Sequence, residues 1–155
     1  MITHHDVAAY DRDGVVCLRQ AFDPTWVERL RVAVERDLAT PGPNATNFAE
    51  GSTAGTFFGD MYMWRRDPEF RAAALDSHAP AIAARLMGSA SADFFYDQLF
   101  VKEPGTLDPM PWHHDLPYWP LQGSQVCSIW LALEDVTAAG SGCMAALDVE
   151  KYLHD

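Results

Sequence analysis

Pro111-Trp112-His113-His114-Asp115-Leu116-Pro117-Tyr118-Trp119-Pro120 sets two imidazoles beside a carboxylate, between aromatics and prolines. His113 and Asp115 are two positions apart. On an extended strand, residues i and i+2 project to the same side. The pair could therefore hold one metal ion, with His114 pointing the other way. An imidazole and a carboxylate are two of the three groups in the facial triad that binds non-haem Fe(II) and leaves coordination positions open. The bland alternative is a solvated polar turn with a helix-capping Asp. Short motifs match by chance often enough to keep that alternative in view.

Composition narrows the classes around this motif. The chain has 155 residues, 48% hydrophobic and 21% charged, which fits one globular domain with its own core. The formal net charge of −11 disfavours nucleic acid or an anionic membrane surface as the main partner. No apolar run approaches the roughly 18 residues of a membrane span. The N-terminus lacks the basic and then apolar pattern of a secretory leader. Cys17, Cys127 and Cys143 are odd in number and widely spaced. That suits reduced thiols in a cytoplasm better than a disulfide scaffold or a thiolate zinc site.

Working outward, the first half of the chain reads as helical. Thr3 can cap a short helix through about Tyr10, and Val15 to Leu18 is a short apolar run of strand type. Asp23-Pro24 is a helix start, a capping carboxylate followed by proline at the first helical position. Val27, Leu30, Val34 and Leu38 recur at helical spacing to near Thr40, where Pro41-Gly42-Pro43 ends the helix. Asn44 to Gly55 reads as a long loop. Thr56 to Trp64, rich in aromatics and Met, reads as a strand or an irregular pocket wall. Asp67-Pro68 starts another helix, with Phe70, Ala74 and Leu75 inward. A last helix runs from about Pro80 to Met87 and stops at Gly88.

From Asp93 the pattern turns to β. Gln98, Phe100 and Lys102 share one face of a strand, and Leu99 and Val101 share the other. Val126 to Leu133 reads as a second strand. A turn at Ala139 to Gly142 leads to a third, beginning at Cys143. Helices first and antiparallel-type strands second make an α+β chain, with helices packed on a β-sandwich or jelly roll.

The ordered set Asp13-Gly14-Val15-Val16, Gln98-Leu99-Phe100-Val101-Lys102-Glu103-Pro104-Gly105, Trp112-His113-His114-Asp115, Tyr118-Trp119-Pro120, Trp130-Leu131-Ala132-Leu133 and Ser141-Gly142-Cys143-Met144 resembles the phytanoyl-CoA dioxygenase family. These are Fe(II)- and 2-oxoglutarate-dependent oxygenases. The likeness runs from about residue 8 to about residue 147. It implies helices packed on a double-stranded β-helix, the jelly roll of that family. It also implies hydroxylation of a small organic substrate by O2, with decarboxylation of 2-oxoglutarate to succinate. By resemblance, His113 and Asp115 match the first two iron ligands. Gln98 and Trp130 match positions lining the 2-oxoglutarate site. Tyr118 and Trp119 could wall the substrate pocket. Trp130, Tyr118 and Trp119 also suit plain packing, and Lys102 suits a surface or lip position as readily as a ligand.

The sequence departs from the family downstream of the motif. The expected third histidine has no counterpart in a matching context, because His154 lies in a polar tail. No Arg follows Arg85, so the usual carboxylate clamp has no candidate. The expectation is one domain over residues 1–155 whose β-helix is incomplete at its C-terminal part. It would then be a fragment or truncated product, a barrel edge completed by a second copy in a homodimer, or a degenerate member that binds a small molecule or divalent metal without catalysis. A cupin-type site using His113, His114 and Asp115 would need a bulge to turn both imidazoles inward.

Overall fold

The computed structural model describes residues 2–49, 55–104, 106, 118–123 and 125–134. These residues form helices and a small antiparallel sheet in two compact units. One unit holds residues 22–77 and 94–109, and the other holds 1–21, 78–93 and the described part of 110–155.

In the first unit, α1 (Pro24–Ala39) begins as its sequence dictates. The Asp23 carboxylate accepts from the Thr25 amide at 2.8 Å, and Pro24 occupies the first turn, where no amide proton is needed. The buried stripe of the helix is Leu30, Ala33 and Asp37, whereas Leu38 is exposed. Helical spacing predicts Leu38 inward. The stripe instead rotates to bring a carboxylate in, because Asp37 has a guanidinium partner there. α2 (Pro68–Asp76) is capped by Asp67, whose side chain accepts from Glu69 and Phe70 amides. Phe70 is buried, while Leu75, expected inward with it, is exposed.

The sheet of this unit has the order β1-β2-β3, with β1 (Thr46–Asn47), β2 (Phe57–Met61) and β3 (Gln98–Lys102) all antiparallel to their neighbours. β1 is a two-residue strand within the stretch read as loop. Its Asn47 side chain accepts from the Ala49 and Phe57 amides at 3.1 and 3.2 Å, an arrangement that composition does not reveal. The register sets Phe57 opposite Lys102, Gly59 opposite Phe100 and Met61 opposite Gln98. Directly opposed residues share a face, so Phe57, Gly59, Met61, Gln98, Phe100 and Lys102 lie on one side. Phe58, Asp60, Leu99 and Val101 lie on the other, as the alternation predicts.

In the second unit, α3 (His4–Asp13) opens with a capping box. Thr3 accepts from the Asp6 amide at 3.2 Å and the Asp6 carboxylate accepts from the Thr3 amide at 2.8 Å. Gly14 closes the helix at φ +75°, with its amide bonded to the Tyr10 carbonyl at 2.9 Å. α4 (Ala79–Leu86) packs against α3 and buries Ile82, Ala84 and Leu86. Gly88, at φ +63°, follows its end as expected.

Two expected strands are absent among the described residues. Residues 15–18 and 126–133 form no ladder. Apolar and β-branched composition predicts a strand in each run. Composition reports burial, but a strand also requires a partner edge in register. Residues 126–133 are mostly half-buried without alternation. The turn at 139–142 and the strand from Cys143 lie outside the described residues. No described helix is long and apolar enough to cross a membrane.

Candidate functional site

The face of β3 carrying Gln98, Phe100 and Lys102 is the part of the expected site that the structure describes in most detail. Phe57 and Phe100 stand 5.8 Å apart between ring centroids, and Phe48 joins them at 5.1 and 6.0 Å. The Lys102 ammonium lies 5.5 Å from the Phe57 centroid, within cation–π range. Gln98, at the other end of the strand, is exposed, and its carbonyl oxygen accepts from the Tyr96 hydroxyl at 3.4 Å. Its amide nitrogen is a donor, as is the Lys102 ammonium. Both ends of this face therefore carry donors chemically suited to a carboxylate, with phenyl rings between them.

The strand is anchored at both ends. After Lys102, the Glu103 amide donates to the Thr56 carbonyl at 3.0 Å, and the Thr106 hydroxyl donates to the same carbonyl at 2.9 Å. Before Gln98, Asp97 staples the strand to the 3-10 turn Met63–Arg65. Its carboxylate accepts from the Trp64 amide at 2.9 Å, and its carbonyl accepts from the Tyr62 amide at 3.1 Å. The other Asp97 carboxylate oxygen is buried with no partner among the described residues. Burial pushes the Asp97 carboxyl up to about 6, against the hydrogen bond from Trp64, which lowers it.

A second electrostatic cluster lies on the opposite side of β2. Asp60 is 1% exposed and Asp37 is 3% exposed, and both meet the Arg66 guanidinium. Asp60 also accepts from the Gly42 amide at 2.8 Å and the Met61 amide at 2.7 Å. Asp37 keeps one carboxylate oxygen without a partner among the described residues. Burial raises its affinity for a proton, and Arg66 opposes that shift. This cluster ties α1, β2 and the 3-10 turn together; two carboxylates and one guanidinium are not a metal-ligand set. Sequence reasoning missed it. The available signal was Asp60, a lone carboxylate within an aromatic strand, which cannot be buried without a partner.

His113, Asp115 and the neighbouring His114 lie outside the described residues, as does His154. No cluster of three or more His, Cys, Asp or Glu suited to a metal occurs among the described residues. Trp130 is half-buried, Trp119 is half-buried and Tyr118 is 75% exposed, all in the second unit. Gln98 belongs to the first unit. In the second unit Cys127 lies near Tyr10, and burial raises the pKa of both, the phenol to about 12.

Comparison with known proteins adds one match. The family model for phytanoyl-CoA dioxygenase (PhyH) matches residues 10–147. No curated protein and no solved structure matches the chain.

Proposed function

The chain belongs to the phytanoyl-CoA dioxygenase family, whose members depend on Fe(II) and 2-oxoglutarate, and on that premise we propose that it hydroxylates a small organic substrate with O2. The match over residues 10–147 is the observation that carries this reading. In the proposal, one domain spanning residues 1–155 adopts the family's jelly roll, a double-stranded β-helix. His113 and Asp115 hold iron. Gln98 and Trp130 line the 2-oxoglutarate site, and Tyr118 and Trp119 wall the substrate pocket. The described residues fit the cosubstrate in the chemistry of their donors, because Gln98 and Lys102 present N–H groups on one strand face. Iron with 2-oxoglutarate supplies O2 activation and oxidation of a C–H bond. The protein's own residues bind and orient. Gln98 donates to a carboxylate oxygen, the aromatic walls exclude water, and the imidazole and carboxylate of the motif fix the metal's position.

The test is reconstitution of the full chain with Fe(II), 2-oxoglutarate and O2, measuring succinate and CO2. Succinate formation that requires added iron supports the reading. Its absence at every iron and 2-oxoglutarate concentration favours the second reading, a non-catalytic β-helix that binds a small molecule or divalent metal.

A further inference from the structure

We propose that the surface around Trp64 docks an acidic peptide segment of a partner protein, with Arg65 and Arg71 taking its carboxylates and Phe94 taking an apolar side chain beside them. The Arg65 guanidinium lies 4.9 Å from the Tyr62 ring centroid and 5.5 Å from that of Trp64. Arg71 of α2 lies 5.5 Å from the same Trp64 centroid. Both arginines are exposed, and neither has a carboxylate partner among the described residues. Arg29, Arg31, Arg36 and Arg66 of the same unit each meet one. Acidic residues outnumber basic ones 22 to 11 in the chain, so two unmatched guanidiniums on one indole do not reflect a shortage of carboxylates.

The turn that presents these groups is strained. Tyr62 adopts the left-handed conformation, at φ 62° and ψ 30°, which bulky side chains avoid. Asp97 holds it there, because its carbonyl accepts from the Tyr62 amide at 3.1 Å and its carboxylate from the Trp64 amide at 2.9 Å. The result is two aromatic rings around the Arg65 guanidinium. Stacking covers the face of a guanidinium and leaves its N–H edge for a bidentate carboxylate. A side chain already ordered by a ring also loses less rotamer freedom on binding. Phe94 meets Trp64 edge-on at 5.7 Å and is 38% exposed, an apolar contact beside the charges. Arg, Trp and Tyr are the side chains that dominate binding at protein interfaces. The net charge of −11 repels a long polyanion, so a short segment with a few carboxylates fits here and a nucleic-acid backbone does not.

The test titrates the full chain against a fluorescein-labelled peptide of glutamates flanking a leucine, read by anisotropy. Binding should saturate, and should weaken as salt rises from about 50 to about 300 mM, because the charges are exposed. The double variant Arg65→Gln/Arg71→Gln should bind about tenfold more weakly. Arg29→Gln, which removes an arginine already paired with Glu69, should stay within about twofold of wild type. In the wild type, the Nε–H resonances of Arg65 and Arg71 should shift on titration and that of Arg36 should not. Should the double variant lose its native circular dichroism, those wild-type resonances decide alone. No saturable binding, equal binding of a peptide with lysines in place of glutamates, unshifted Arg65 and Arg71 resonances, or wild-type affinity in a folded double variant would each overturn the assignment. Tighter binding of a single-stranded RNA oligomer would overturn it as well.

Discussion

Asp60 on β2 meets the guanidinium of Arg66 at 2.6 Å, and the carboxylate is almost wholly enclosed. The two residues are only six positions apart, but their pairing ties the sheet to the turn that follows it. Asp37 of α1 reaches the same guanidinium nitrogen. Three segments of one unit thus depend on one cation. Removing one partner of a buried pair costs more than the pair contributes, because the stranded charge remains.

Arg66→Met should therefore destabilise the protein strongly, by about 3 kcal/mol, since two buried carboxylates lose their counter-charge. Asp37→Asn should cost less. Its carboxyl already binds a proton more readily than usual because of burial, and an amide can still accept from Arg66. Chemical denaturation of both variants checks the order. Equal losses would show that the cluster does not rank its members this way.

Gly42 lies directly against the same guanidinium. A Cβ there would come within 2.6 Å of Arg66 Nε and 2.7 Å of its central carbon. The side chain cannot easily retreat, because its far end is held by two carboxylates. Gly42→Ala should cost about 1–3 kcal/mol by overpacking. Paired with Arg66→Met, the alanine should cost much less, which a double-mutant cycle reads as coupling.

Asp97 makes a pH prediction with a definite sign. Its carboxyl titrates near 6 in the folded protein and lower when unfolded, so the folded state holds the proton more tightly between about pH 4 and 6. The stability this group contributes is therefore present below about pH 4 and declines as pH rises toward 6. Partial exposure screens the effect to on the order of 1 kcal/mol. Asp97→Asn keeps an acceptor for the Trp64 amide and removes the titration. The difference in stability between wild type and variant should grow in the variant's favour from pH 4 to pH 6 and then level. A difference independent of pH would refute the assignment.

Much of this architecture was legible in the residues. Thr3, Asp23-Pro24, Asp67-Pro68 and Gly88 marked helix ends because capping and proline geometry are local. The two faces of Gln98–Lys102 followed from alternation alone. Leu38 and Leu75 were misread because helical spacing identifies a stripe but does not say which side a buried ion pair will claim. Residues 126–133 form no ladder among the described residues; a strand is a relation between two segments, and composition describes only one. The Asn47 turn depends on contacts between distant positions, which no local pattern encodes. Alternation sets Gln98 on the strand face it shares with Phe100 and Lys102, and the register agrees. The resemblance to the oxygenase family came from ordered motifs, and the family match bears it out.

The account depends most on iron at His113 and Asp115. The direct measurement is an anaerobic Fe(II) titration of the full chain with 2-oxoglutarate present, following bound iron and the visible charge-transfer absorption, alongside His113→Ala and Asp115→Ala. The account predicts one iron per chain and a 2-oxoglutarate-dependent band in the wild type, with both lost in either variant. A wild-type chain that retains no iron, or variants that retain it unchanged, would contradict it.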